Sequence, residues 1–503
     1  MNTNHRDATF LPAIFLGLLF IVGSVESLAG ELAVYSALSN NQYGSDLYEV
    51  TVSQDHKSLL SYVYKSTREA ENLYNKYKVF TTDANHWTSF SFNGAVTVQV
   101  KLREKSAVKK AIVRPLSKQV SATVSNNVVT FTLARPANLY VELDGKPRDP
   151  LFIFANPPEA NVPTKDTPNV IYFGPGVTDL GTKPREVRDG QTVYLAGGAY
   201  VKGRLKTAGP TGNKPVTIRG RGILSGIDLN EMRGDYGQHM IDAIAHKTGA
   251  TSRKAVPELN VEGITLTDSP GCGLVASRRL TAENVKILAW SRCSDGIGGG
   301  AGSLIKGCFL KVNDDSIYFF RSGLKVIDNV VWVQAAGSAL QMGWNVQESM
   351  EGAHADGLDI IGDDPGRTQT NKDWLNSCVV ALMDMHNHTT YRNVVVENVR
   401  HDGKPYQLFG IRTKLAPENG AGLASYREGL GSVDGIVFRN ITAAQKPLHP
   451  SVFDGNGTEP GSIQNVTFEN FRVAGELVTD KNASKYVVQR GKTSGFRYGL
   501  STK

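Results

Sequence analysis

Hydrophobic and polar positions alternate along most of this chain, in two different ways. Between residue 30 and about residue 160 the alternation has a period of two, strict at 96–102 and approximate at 128–133. Val96, Val98, Val100 and Leu102 are separated by Thr97, Gln99 and Lys101, and Val129, Phe131 and Leu133 repeat the pattern. A run at 139–143 ends in Asp144 and Gly145, a turn pair, ahead of the apolar residues 151–154. Period-two runs about ten residues apart predict half-buried strands of an antiparallel sandwich. Pro157, Pro158, Pro163 and Pro168 then interrupt the pattern. Proline cannot donate to a strand ladder, so a domain boundary is expected here, near residue 165.

From Val170 the alternation breaks into short pieces that recur. Each piece is Asn or Gly followed by alternating apolar residues, and the first apolar residues are Ile264, Val285, Cys308, Val330, Val394, Ile436 and Val466. The spacings are 21, 23, 22, 64, 42 and 30 residues, so the two long gaps read as about three and two further units. A second series runs beside it through Cys272, Asp295, Asp315, Ser338 and Asp356, spaced 23, 20, 23 and 18 residues apart. A unit of about 22 residues is too short for a propeller blade, and the signature of leucine-rich repeats is missing. It fits one coil of a parallel β-helix, in which successive coils stack at about 4.8 Å. The expected fold is therefore all-β, an N-terminal antiparallel β-sandwich followed by a parallel β-helix. The expected divisions are 1–29, 30–165 and 166–503.

Composition narrows the class. Of 503 residues, 20% are charged and 51 are Gly, which fits a turn-rich strand protein rather than a disordered or coiled-coil chain. Residues 10–22 form an apolar run of 13, shorter than the ~20 needed to cross a bilayer. With Arg6 before it and Ser27, Leu28 and Ala29 after it, the run reads as a signal peptide. A secreted or periplasmic protein is expected, with no membrane partner once the signal is removed. Loss of Arg6, Asp7 and Glu26 with that segment raises the net charge from +7 to +8. The Lys and Arg residues are dispersed, so no nucleic-acid partner is expected. The charge would suit an acidic polysaccharide, but a solvated surface explains it equally. The four cysteines, Cys272, Cys293, Cys308 and Cys378, all lie in the second half. Cys272 and Cys293 share an offset in the first series, which allows a disulfide, whereas the second series sets Cys272 against Asp295.

Stacking converts a sequence period into a cluster in space. Asp295 and Asp315 occupy equivalent positions one coil apart, and Asp314 adjoins them. Crowded carboxyls raise one another's proton affinity. A protonated carboxyl beside an ionised one is what glycosidic cleavage requires. An Asp series can also cap turns or hold Ca²⁺. Further along, Tyr318, Trp344, His354, Asp356 and Asp359 are candidate substrate contacts, with Trp344 suited to stack on a sugar ring. The glycine-rich run 296–301 matches a dinucleotide fingerprint by letter. A strand rather than a helix is expected after it, so that reading is declined. His386 and His388 lack a third ligand for a metal. No cofactor or metal is called for.

The pattern Ser294, Asp295, Gly296 followed by Asn313, Asp314, Asp315 resembles glycoside hydrolase family 49, the dextranases and isopullulanase. The segment 172–177 and the glycine-rich run 193–203 resemble the start of that family's β-helix. The resemblance implies a right-handed helix behind the sandwich and an inverting endohydrolase of an α-glucan, dextran first. It makes Asp314 the general acid and lets Asp295 and Asp315 hold the attacking water. Polygalacturonases share the fold and an Asp trio, but they add a Gly-His-Gly motif where this chain has Gly337, Ser338 and Ala339. Their Arg-x-Lys motif occurs here only at 412–414, several coils late. The competing functions are cleavage of an acidic glycan, such as polygalacturonate or carrageenan, and non-enzymatic carbohydrate binding or adhesion. The expected partner is a polysaccharide, met by a monomer.

Overall fold

The computed structural model describes residues 1, 31–67, 84–104, 107–208, 214–229, 238–245, 247–248, 252–253, 256–291, 293–334, 337–344, 348–363, 376–383, 385, 389–413, 431–455 and 462–500. The expected signal segment, His386 and His388 lie outside them. Among the described residues, helical structure is confined to three-residue 3-10 turns such as Leu116–Lys118.

The chain opens as two packed sheets. One carries Tyr48–Gln54, Lys57–Ser61, Val96–Leu102, Ala122–Ser125 and Val128–Leu133, all antiparallel. Here the period-two pattern does what it predicts, sending Val50, Val52, Val98, Val100, Val129 and Phe131 into the core. The other sheet holds Leu32–Val34, Val63–Thr67, Ala84–Phe92, Ala111–Arg114, Ala137–Leu143 and Lys146–Asn156. Its central pair, Ala84–Phe92 with Lys146–Asn156, is parallel rather than antiparallel. Residues 151–154 do not alternate because both faces of this strand are covered. Leu151 and Ile153 face the sandwich core, while Phe152 and Phe154 face the other way.

From Val170–Phe173 onward the chain winds as a right-handed parallel β-helix. Its strands form a 22-stranded and an 11-stranded sheet. The two-to-one ratio reflects coils that run along the longer sheet in two stretches divided by a bend, then add one strand to the shorter sheet. Inside, residues in register stack. The column Val193, Ile218, Val261, Ala282, Ile305, Val326, Ala355, Val396, Phe438, Phe468 follows the strand pairing and is buried throughout.

The recurring Asn or Gly marks bends, and there are two columns of them. Gly263, Asn284, Gly307, Asp328, Gly357, Asn398, Asn440 and Asn470 stack at one corner, all at positive φ. Gly352, Asn393, Gly435, Asn465 and Gly495 stack at another, also at positive φ. Gly and, less easily, Asn or Asp adopt that conformation at the least cost, which explains the choice of residue. The gap of 64 residues therefore spans no three coils. The sequence series passes there from one corner to the other, and the later coils are longer. Asn440 Nδ2 donates to Asn398 Oδ1 (2.9 Å) and Asn470 Nδ2 to Asn440 Oδ1 (3.0 Å), so the corner is tied by a side-chain ladder.

The sandwich lies against the helix through aromatic packing. Tyr64, Trp87, Tyr140, Phe152 and Phe154 meet Tyr200, Leu288, Phe309, Val330 and Trp332. Two lysines, Lys286 and Lys311, are fully buried in this contact region. Lys286 Nζ donates to Asn156 Oδ1, and Lys311 Nζ donates to Gln334 Oε1 (3.0 Å) while lying 4.3 Å from the centre of the Trp290 ring. Ser66 of the sandwich donates to Asp268 (2.9 Å) and accepts from the Trp290 indole (2.9 Å), reaching the turns that precede the acid cluster.

Candidate active site

The three acids sit just before strands of the 11-stranded sheet. Asp295 precedes Ile297–Gly298, and Asp314 and Asp315 precede Ile317–Tyr318. Ile297 and Ile317 are in register, so Asp295 and Asp315 are stacked neighbours. The residues around them brace the turns. The amide of Asn313 donates to Ser294 Oγ (3.2 Å), and its side-chain amide donates to the Trp290 carbonyl (2.9 Å). A side chain at Gly296 would place Cβ 2.2 Å from the Ser316 carbonyl oxygen, and one at Gly337 would lie 2.0 Å from the Asp314 carbonyl carbon. Glycine at both positions lets adjacent coils close on the acids.

Carboxylate oxygens of Asp295, Asp314 and Asp315 lie within 4.8 Å of one another. Asp295 and Asp315 are each only 4% exposed, while Asp314 is half-buried. Asp315 is held by four donors. Its Oδ1 accepts from the Ser338 amide (2.8 Å), the Ser338 hydroxyl (3.0 Å) and Asn376 Nδ2 (3.0 Å), and its Oδ2 accepts from Gln341 Nε2 (3.2 Å). Asp295 Oδ1 accepts from the Asp315 amide (3.1 Å), and its Oδ2 accepts from the Cys272 thiol (3.1 Å). The Tyr318 hydroxyl also hydrogen-bonds this carboxyl. Burial, followed by the charge of Asp315, pushes the Asp295 carboxyl up to about 7. Burial raises Asp315 too, opposed by its donors. The cluster thus retains a proton well above the ordinary carboxylate range. Three carboxylates could also bracket a cation, but both oxygens of Asp295 and of Asp315 are already engaged by hydrogen-bond donors, which compete with an ion.

The chain is similar to known proteins along most of its length. No family model matches the chain. A dextranase of Arthrobacter sp. (strain CB-8) is 23% identical over 82% of this chain and 77% of its own length. The isopullulanase of Aspergillus niger is 22% identical over 79% of each. The solved structure of Dex49A from Penicillium minioluteum superposes with a TM-score of 0.66 at 18% identity, covering 90% of this chain and 94% of that one. These likenesses support a place for the chain in glycoside hydrolase family 49.

The remaining expected residues of this glycoside hydrolase divide between two places. Tyr318 pairs with Gln341 on the 11-stranded sheet, beside Asp295. Trp344, half-buried, packs on Met383 and Val452 over later strands of the same sheet. His354, Asp356 and Asp359 are not brought to the acids. They lie on His354–Asp363 in the 22-stranded sheet. His354 Nε2 meets Glu397 Oε1 (2.7 Å), which shares its carboxylate with Arg439, and Asp356 accepts from Asn398 Nδ2 (2.7 Å). Asp359 is 3% exposed and joins Arg400 to Ser117 of the sandwich. The stacked series from Cys272 through Asp295, Asp315 and Ser338 continues to Cys378, not Asp356, because Leu340 pairs with Val380.

The cysteine alternatives are settled by the same register. All four cysteines are free and buried, and Cys272 faces Asp295 rather than Cys293. Sequence reasoning missed Gln341, Asn376 and the part played by Cys272 and Ser338. The last two already stand in the second series, Cys272 as a disulfide candidate set against Asp295 and Ser338 where a polygalacturonase has His. Asn376 stands outside both series and carries no spacing signal. The glycine-rich run 296–301 is followed by the strand Leu304–Lys306, so no dinucleotide-binding helix is present there.

Proposed function

We propose that this protein is an exported α-glucan endohydrolase, with dextran as its first substrate, that inverts the anomeric centre. The observation that carries the reading is the grouping of one half-buried carboxyl with two recessed ones. Asp314, the more accessible acid, protonates the glycosidic oxygen as the C1–O bond breaks. Asp295 and Asp315 hold a water on the other side of C1, and one of them takes its proton as the new C1–O bond forms. Asp314 ends ionised and its partner protonated, and solvent restores both. Inverting enzymes commonly hold their two carboxyls about 6.5–9.5 Å apart. This trio is tighter, but a carboxylate at the depth of Asp295 or Asp315 reaches a sugar through a water rather than by direct attack. The substrate class follows the names of the relatives. Tyr318 and Trp344, on the sheet that carries the acids, are proposed sugar contacts. No helix among the described residues is long and apolar enough to cross a membrane.

An acidic-glycan substrate is less well supported. Arg412, the one cation of the pectin-type motif among the described residues, is 3% exposed and lies 3.9 Å from Asp454. A reducing-sugar assay across dextran, pullulan, polygalacturonate and carrageenan tests the assignment. Release from dextran or pullulan alone is expected. Release from polygalacturonate or carrageenan alone would overturn it.

A further inference from the structure

We infer that Cys272 and Tyr318 are positioning residues that hold the carboxylate of Asp295 and mark Asp295, not Asp315, as the carboxylate that takes the proton of the attacking water. The inference rests on the reading of the acid trio given above.

The two buried carboxylates differ in what they accept. Asp315 receives two strong donors from Ser338 and one each from Asn376 and Gln341. Asp295 receives one backbone amide, a phenol and a thiol. Each donor stabilises the ionised form, and a thiol is the weakest donor of the set. Asp315 is therefore the better-held anion, suited to orient a water, and Asp295 keeps the greater proton affinity. The thiol remains a donor because burial, then the charge of Asp295, raises its own proton affinity well above the ordinary range. Cys272 is 3% exposed, with Sγ 3.1 Å from Asp295 Oδ2 and 3.7 Å from the Tyr318 hydroxyl. Thiol, phenol and carboxylate thus close a small ring of polar contacts.

Tyr318 reaches this place because the preceding coil offers it a glycine. A side chain at Gly298 would put Cβ 2.5 Å from Tyr318 Cδ2. The titratable groups facing Asp295 are Cys272 from the coil before, and Asp314, Asp315 and Tyr318 from the coil after.

The test is the pH dependence of kcat/KM on dextran for the wild type, Cys272→Ala, Cys272→Ser, Tyr318→Phe and Asp295→Asn, with thermal melts to verify folding. Loss of a donor destabilises the ionised base, so the acid limb should move to higher pH in Cys272→Ala and in Tyr318→Phe. The expected displacement is about half to one pH unit. Cys272→Ser, which restores a donor, should lie nearer the wild type than Cys272→Ala. An unmoved acid limb in folded Cys272→Ala and Tyr318→Phe would overturn the inference, as would equal displacement in the Ala and Ser variants. If Cys272→Ala fails to fold, Tyr318→Phe carries the same expectation alone. An Asp295→Asn variant with native fold and wild-type rate is a different result. It would overturn the reading of the trio, and this inference with it.

Discussion

Asp295 and Asp315 are buried side by side, an arrangement that serves chemistry at the expense of stability. The proton affinity of Asp295 is raised in the fold to about 7, against about 4 in an unfolded chain. Between those values the folded state binds more protons than the unfolded one, so stability contributed by this group falls as pH rises. Asp295→Asn removes the buried charge and relieves Asp315 as well. Activity on the polymer should drop by about 10²-fold or more. Thermal stability should exceed that of the wild type at pH 7, and the difference should shrink as pH falls towards 4. Melts at several pH values check this, and an Asn variant destabilised at pH 7 would contradict it. At this scale the acids themselves were legible in the sequence, because a one-coil spacing forces neighbours together. The donors around Asp315 were not. Gln341 and Asn376 are ordinary polar residues until the coils close, and nothing in their spacing points to Asp315.

At the scale of elements, coil closure depends on residues that lack side chains. Gly337 is where a polygalacturonase-type motif would begin, but its part here is steric, since the backbone of Asp314 lies where its Cβ would be. Gly337→Ala should push the turn that carries Asp314 and lower kcat by about tenfold or more while leaving the stacked core folded. Steady-state kinetics and circular dichroism check this, and wild-type kcat would show that the turn tolerates the displacement. The coils also show where the sequence pattern misleads. Bends at two corners use the same Asn or Gly signal, because both need positive φ. A single series therefore passes from Asn329, one residue beyond the corner position Asp328, to Asn393 at the other corner without any change in letters. The same lengthening of coils detached Asp356 from the acid series. The distance from Ser338 to Cys378, its true successor, is 40 residues.

Over the whole molecule, the sandwich buries one sheet face against the helix, and its residues reach the back of the acid cluster. Ser66 bridges Asp268 and the Trp290 indole, and Trp290 in turn accepts from Asn313, the residue before Asp314. The sandwich itself was legible from its alternation, but its contact with the helix was readable only as an absence of alternation at 151–154. Aromatic residues on both faces of a strand report two neighbours without naming the second. The long apolar contact, with Lys286 and Lys311 sealed inside it, sets the N-terminal sheets as a buttress for the coils that carry Asp295, Asp314 and Asp315. The central claim for the assembled molecule is α-glucan cleavage through a water held by Asp295 and Asp315. Its most direct test is proton NMR of the first products released from dextran, recorded before mutarotation. New reducing ends in the β configuration are the expected result. New ends in the α configuration would mean that a carboxylate attacks carbon directly, and would contradict the account.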